Sequence, residues 1–414
     1  MAKRLESLAS LPSWVQDWIE LEQTANDRVS HPRLKHRFEL DERQLASEYW
    51  PEHRSVFRLQ YVLLPARQVV EFGPAAEFLE AHFAIRSTAG NRLIFVHPGN
   101  GYIKRKLSRL GIALHDSPVL ATPTSSFRSL LCWHPDWPDK AAVVKVALHA
   151  RISGVRRFLG EIEVAGSIYT SVLLREIPET NKQQVALDFF HDEAGSYCRR
   201  LNLGQIFRLL PSMVSGESRL VPGFSFGSKQ HDRLLLTQLT PSKSAAQALM
   251  KELIERYVTA ISYLQCREGI AHECHSQNVL FEVRGAQVMR VILRDYHRAA
   301  VWPALRRRLG RPVPAWPGLR RSRFAARRLL YYWLAPRAPT AYLRVFGVRG
   351  VVWECARALR LAGCRDQYLE LREHYLRCWQ EASAVWLGVW PRRVPKGPSL
   401  ALNDAIQQFI ETKP

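Results

Sequence analysis

The sequence predicts a mixed α+β fold, on three observations. Stretches of strand length, apolar or alternating, stand at residues 91–96 and 142–148, with a helical stretch at 75–84. Residues 244–266 form a longer helical repeat, in which Leu249, Leu253, Tyr257, Ile261 and Leu264 make one apolar stripe and Gly269 follows as a stop. That helix runs directly into "AHECHSQNVLFEVRGAQVMRVILRDY", where residues 278–283 and 288–293 alternate or run apolar around Arg284-Gly285-Ala286. Two such runs joined by a glycine-bearing turn read as a β-hairpin.

In chain order, the first half mixes short strands and helices. Lys145 sits in the middle of the strand 142–148, where an ammonium is costly unless paired. Just after it, Ser153-Gly154 reads as an N-cap opening a helix whose first turn carries Arg157. Beyond the hairpin, residues 303–318, "PALRRRLGRPVPAWPG", hold four prolines and two glycines and read as a loop or lid. Apolar helical patterns continue to about residue 387, then "WPRRVPKGPS" leads to a last short helix. No internal repeat or low-complexity tract interrupts the chain.

With 414 residues the chain is long enough for two or three domains with cores of their own. An apolar content of 47% and a mean hydropathy of −0.20 are ordinary for a soluble globular protein. No apolar run approaches the ~18 residues of a membrane span. The N-terminus has no continuous apolar core of a secretion signal. Seven scattered cysteines without CxxC spacing suit a reducing compartment, so the expectation is a cytoplasmic protein. The net charge of +21 is uneven, for residues 301–350 carry twelve Arg and no acid. That run reads as an anion-binding face, with a solvated Arg-rich surface as the alternative. No nucleic-acid module motif accompanies it, so nucleic acid is not the expected partner.

The polar groups of the hairpin stretch collect at its two open ends: Glu273, His275, Gln277 and Asn278 before it, Arg294 and Asp295 after it. Adjacent strand ends lie side by side, so these groups can converge. Glu273 and Asp295 are hard oxygen donors of the kind Mg²⁺ takes, and Asn278 could add an amide oxygen. His275 could contact a phosphate or a reacting carboxylate. A zinc reading on His272, Cys274 and His275 is poorer, since adjacent His and Cys cannot easily reach one ion, and no second ligand pair shows zinc spacing. Upstream, Arg128 lies in a loop with Ser125, Ser126 and Ser129, and together with Lys145 and Arg157 it would suit a triphosphate.

These residues resemble the IucA/IucC-type siderophore synthetases, which act independently of non-ribosomal peptide synthetases. The family signature E-x-H-x-Q-N stands as Glu273-Cys274-His275-Ser276-Gln277-Asn278 after Gly269-Ile270-Ala271, and the family's R-D as Arg294-Asp295. Its S-x-R-T stands as Ser126-Phe127-Arg128-Ser129, with Ser in place of Thr. The Lys-to-Arg element matches Lys145 and Arg157, and Arg208 with Pro211 resembles its R-x-x-P. "SHPRLKHRFEL", holding His31 and Lys35, and "FVHPGN" at 95–100 resemble two further elements.

The resemblance implies a cupped-hand fold of fingers and palm with the thumb largely missing. Residues 1–165 would be a reduced thumb plus fingers with the triphosphate motifs. Residues 166–414 would be the palm with the Mg/ATP hairpin and substrate-side helices. It also implies an ATP-dependent ligase that activates a citrate-like carboxylate as an acyl-adenylate and condenses it with an amine or hydroxyl. By the same resemblance His31, Lys35, Ser126, Arg128, Ser129, Lys145, Arg157, His275 and Asn278 would hold ATP. Glu273, Asn278 and Asp295 would hold Mg²⁺. Arg157, His275 and Gln277 would serve the reacting centre, with Lys396 and Arg320 on the substrate side. A homodimer or a partner synthetase subunit stays open. The chain departs from the family pattern in its short segment before His31, in Gly99-Asn100 within the His-Pro element, and in Tyr296 after R-D. Two rival readings are an aminoglycoside-phosphotransferase-like kinase, which lacks its Gly-rich loop here, and a non-catalytic partner subunit.

Overall fold

In the computed structural model "NRLIFV" forms a strand, Asn91–Val96, and its alternation sorts side chains to two faces. Leu93 and Phe95 join one buried cluster, Ile94 and Val96 another. The structure describes residues 8–24, 45–86, 90–152, 155–156, 158–212, 217–296, 299–301, 303–313, 347–348 and 350–387. The chain divides into two compact units, Met1–Ser171 with Phe190–Ser212, and Val172–Phe189 with Met213–Pro414. It therefore leaves the first unit, returns to it, and leaves again.

The first unit is built on an eight-stranded antiparallel sheet. Its spatial order is Val69–Phe72, Asp192–Cys198, Leu203–Arg208, Trp137–Val146, Ser129–His134, His115–Pro123, Phe57–Pro65, Asn91–Val96. One face is covered by the helix Ala75–Phe83, whose Phe78, Leu79 and Phe83 pack with Phe95, Val144 and Phe207. The other face receives Ile103 and Leu107 from the helix Gly101–Arg109, and Val164 and Ile168 from the helix Glu161–Arg175. Each fully buried aliphatic or aromatic side chain contributes roughly 1.5–3 kcal/mol, so the two-sided cover holds the sheet's centre firmly.

The helix Ala75–Phe83 and the strand Asn91–Val96 match their expectations, whereas the strand expected at 142–148 runs from Trp137 to Val146. The helix expected to open at Ser153-Gly154 is corrected. Arg151–Ile152 and Val155–Arg156 pair as antiparallel strands, Ile152 opposite Val155, and the next helix begins at Glu161. A Ser-Gly dipeptide between extended residues is a two-residue hairpin connection as readily as a cap. Residues 153, 154 and 157 themselves lie outside the described set.

The second unit carries a four-stranded sheet in the order Arg219–Pro222, Val279–Arg284, Gln287–Leu293, Leu187–Phe189, the last pair parallel. The predicted hairpin is its centre: Val279 pairs with Leu293 and Arg284 with Gln287 around Gly285, whose φ of +54° suits the first position of a two-residue turn. The predicted long helix spans Lys243–Glu268. Ser242 caps it by accepting from Ala245 N at 3.2 Å, and Gly269 ends it at φ +62°.

The loop expected at 303–318 opens instead as a short helix, Pro303–Arg308, with proline at the first helical position where its missing N–H costs nothing. Arg306 is 1% exposed and donates to the Glu268 carbonyl at 2.7 Å, while Arg311 pairs with the Glu268 carboxylate at 2.8 Å. Both cations of the Arg-rich run therefore stabilise the C-terminal end of the long helix, and the buried Arg306 is not open to an anion. The helical patterns expected up to residue 387 appear as Trp353–Leu361 and Tyr368–Leu387.

Candidate active site

In the first unit the serine-rich segment, residues 124–128, connects the strands His115–Pro123 and Ser129–His134. Its own hydroxyls shape it: Thr124 Oγ1 donates to Ser129 O at 2.8 Å and accepts from Ser126 N at 3.3 Å. The N-terminal helix Ser13–Thr24 braces it from outside. The buried Glu22 carboxylate accepts from Ser125 N at 3.0 Å, and Gln23 donates to Thr122 and Pro123 at 2.7 and 2.8 Å.

Register puts Ser129 directly opposite Lys145, so the two side chains share one face of the sheet. Lys145 is 2% exposed and Ser129 6%, whereas Ser126 is part-exposed. Arg128 donates from Nη1 to the carbonyl of Phe158, the residue after Arg157. A guanidinium has five N–H donors, so this tether is compatible with a further contact to phosphate. The structure thus brings Arg128, Ser129 and Lys145 to neighbouring positions. His31, Lys35, Arg157, Arg320 and Lys396 lie outside the described residues.

The second unit places the signature between the strands Ile270–Ala271 and Val279–Arg284. Backbone bonds wind it tightly: Cys274 N to His272 O at 2.8 Å, His275 N to Glu273 O at 2.9 Å, Asn278 N to His275 O at 2.8 Å. Gly223 lies so close that a Cβ there would stand 3.0 Å from the Ser276 carbonyl oxygen. The R-D pair laces the other strand end to it. Arg294 N donates to Asn278 O at 3.1 Å, and its guanidinium reaches Gln277 O through Nε at 2.9 Å and Nη2 at 2.7 Å. His272 Nε2 donates to the carbonyls of Arg294 and Asp295 at 2.9 and 3.3 Å.

Around that buried lacing, Glu273, His275, Gln277 and Asp295 are part-exposed and Asn278 is 5% exposed. Asn278 donates from Nδ2 to Glu273 O at 2.9 Å, so the end it offers to a ligand is its amide oxygen. His275 Nδ1 accepts from Gln277 N at 3.3 Å, which leaves the proton of a neutral ring on Nε2. Asp295 sits at φ +73°, a left-handed conformation that Asp tolerates better than most residues. The Glu273 and Asp295 carboxylates and the Asn278 amide oxygen are hard donors of the kind Mg²⁺ takes.

Cys274 is buried, receives the Tyr257 hydroxyl at 3.1 Å, and burial pushes its thiol up to about 12. His97, in the His-Pro element, is fully buried, and desolvation pushes it down to about 3. Asn100 caps the helix Gly101–Arg109 by accepting from Ile103 N at 3.3 Å. In this chain the element is built into the fold.

The IucA / IucC family profile matches residues 17–225, half of the chain. The chain belongs to the IucA/IucC family. Its fold resembles that of the petrobactin biosynthesis protein AsbB from Bacillus anthracis, with a TM-score of 0.70 and 16% identity over 95% of this chain and 69% of that one. Aerobactin synthetase IucC from Klebsiella pneumoniae gives 0.62 and 14% over 95% and 77%. ATP-bound aerobactin synthetase IucA from the same organism gives 0.62 and 17% over 92% and 74%. No curated protein sequence matches the chain significantly. Membership in this family supports a siderophore-biosynthesis synthetase, a ligase by class, and not the kinase reading. Among the described residues no helix is long and apolar enough to cross a membrane.

Sequence reasoning had placed Tyr257 only in an apolar stripe. Its hydroxyl donates to the Cys274 carbonyl at 2.9 Å, making it a support of the signature, and a buried Tyr hydroxyl in such a stripe is the signal to look for a partner. Glu22 and Gln23 left no local mark, because their partners lie about a hundred residues on.

Proposed function

We propose that this chain is an ATP-dependent ligase that activates a citrate-like carboxylic acid and joins it to an amine or hydroxyl. The observation that carries this reading is the lacing of the two hairpin ends, in which Arg294 and Asn278 bond one another's segments and leave Glu273, His275 and Asp295 part-exposed. Rigid backbone bearing exposed carboxylates is what nucleotide chemistry needs, since preorganised charge lowers a barrier without reorganising in the transition state.

In the proposed reaction a carboxylate oxygen bonds the α-phosphorus of ATP, the bond to the β-phosphate bridging oxygen breaks, and pyrophosphate leaves. The nucleophile then bonds the acyl carbon, AMP departs with the shared oxygen, and the nucleophile's proton passes to solvent or base. Lys145, Arg128 and the hydroxyls of Ser126 and Ser129 would stabilise phosphate charge, with Arg157, His31 and Lys35 carried over from the family pattern. His275 and Gln277 would line the reacting centre. Glu273, Asn278 and Asp295 would hold Mg²⁺, which supplies charge neutralisation at phosphate oxygens. Lys396 and Arg320 stay as the substrate-side candidates.

The test is ATP–pyrophosphate exchange against a panel of carboxylic acids. Exchange that requires one acid, with polycarboxylates preferred, is the expected result. A chain that binds Mg·ATP but exchanges with none of them would instead be the partner subunit.

A further inference from the structure

The helix Tyr368–Leu387 packs against the long helix Lys243–Glu268, and at one edge of that contact three ligand types meet. His374 and Cys378 are four apart and so stand on the same face of their helix, while Glu255 comes from the other helix. One ligand atom from each lies within 4.8 Å of the other two, the one such group among the described residues. His374 Nε2 stands 3.1 Å from Glu255 Oε1, and Cys378 Sγ stands 3.7 Å from the same Nε2.

We propose that Glu255, His374 and Cys378 bind a divalent transition metal, with zinc the ion that fits, clipping the two helices together. A tetrahedral zinc with bonds of about 2.0–2.3 Å has donor–donor edges of about 3.3 Å for nitrogen with oxygen and about 3.6 Å for nitrogen with sulfur. The measured 3.1 and 3.7 Å differ from those edges by only a few tenths of an ångström. One imidazole, one thiolate and one carboxylate suit zinc, whereas Mg²⁺ and Ca²⁺ call for oxygen alone. Three protein donors leave a fourth position for water, and the Glu255 side chain, 54% exposed, leaves the site accessible.

A plain His374–Glu255 ion pair explains two of the three groups but not the third. Cys378 Sγ, 3.7 Å from His374 Nε2, is the soft donor that makes the pair a zinc-type set. The clip would also brace the signature from behind. Tyr375, next to His374, lies 6.4 Å ring to ring from Tyr257, whose hydroxyl holds the Cys274 carbonyl. This role is independent of the proposed ligase chemistry.

The test uses the full chain, treated with chelator and titrated with Co²⁺, then with Zn²⁺ in competition. One cobalt per chain with four-coordinate visible bands and a near-ultraviolet thiolate band, displaced by zinc, is expected. Cys378→Ser should abolish the thiolate band and weaken zinc by about 100-fold or more, since even a partner behind a ligand is worth 10–100-fold. Glu255→Gln, at an exposed position that leaves folding undisturbed, should weaken zinc by about tenfold. Cys364→Ser, at the other part-exposed cysteine, should change neither. Failure to bind a stoichiometric metal, cobalt bound without the thiolate band, or a band that survives Cys378→Ser overturns the proposal.

Discussion

Arg294 tests whether the signature must be held in place. The residue is 7% exposed, and its Nε and Nη2 both donate to Gln277 O, at 2.9 and 2.7 Å. Arg294→Ala leaves that carbonyl without either donor. A charged hydrogen bond contributes about 1.5–3 kcal/mol, and because both N–H groups share one acceptor the loss counts nearer one bond than two. At 1.4 kcal/mol per factor of ten, Mg·ATP affinity should fall about 10–100-fold as the signature leaves its binding conformation. Arg294→Lys, with a point charge in place of a planar fork, should recover only part of that loss. Calorimetry of Mg·ATP binding measures the effect, and urea unfolding of the same samples shows how much of it is global stability. Unchanged Mg·ATP affinity in a folded Arg294→Ala chain would refute the reasoning.

Three further outcomes are expected. Asp295→Asn should reduce Mg·ATP affinity at least about tenfold with stability unchanged; Asn is the substitution to use, because it tolerates φ +73° where Ala is strained. Asp192, fully buried, accepts Arg208 Nε at 2.6 Å and the Ser167 hydroxyl at 2.5 Å. Asp192→Ala removes the carboxylate paired with a buried guanidinium and should cost about 3–5 kcal/mol in urea unfolding, and a loss under about 1 kcal/mol would contradict the account. Burial pushes the Glu354 carboxyl up to about 7 against the pull of Arg357. The folded state then holds a proton that the unfolded state releases, so this contribution is complete below about pH 4.5 and is lost as pH rises to about 7, by about 3 kcal/mol. Unfolding measured across that window should show the extra slope in the wild type and not in Glu354→Gln.

What was legible beforehand is what is local. The long helix announces itself through its stripe, Ser242 and Gly269, and the hairpin through Gly285 between two apolar runs, because caps and tight turns depend on residues a few positions apart. The Ser153-Gly154 step misled because the same dipeptide serves caps and hairpins, and only the pairing partner decides. Arg306 read as part of a charged face, yet it is buried on the end of a helix that closes some forty residues earlier. Glu22, which steadies Ser125, and Glu255, which meets His374 and Cys378, act across more than a hundred residues. No period or spacing encodes such contacts. Within the candidate site the motif proposes Glu273, His275, Asn278 and Asp295, but does not show that Arg294 and His272 are turned inward onto the backbone that presents them.

The central claim is tested most directly by the nucleotide released in a single turnover with the carboxylic acid and its nucleophile. The account predicts one AMP and one pyrophosphate for each bond formed, both dependent on the acid, and both lost in Asp295→Asn. ADP appearing in step with a phosphorylated acceptor would contradict it.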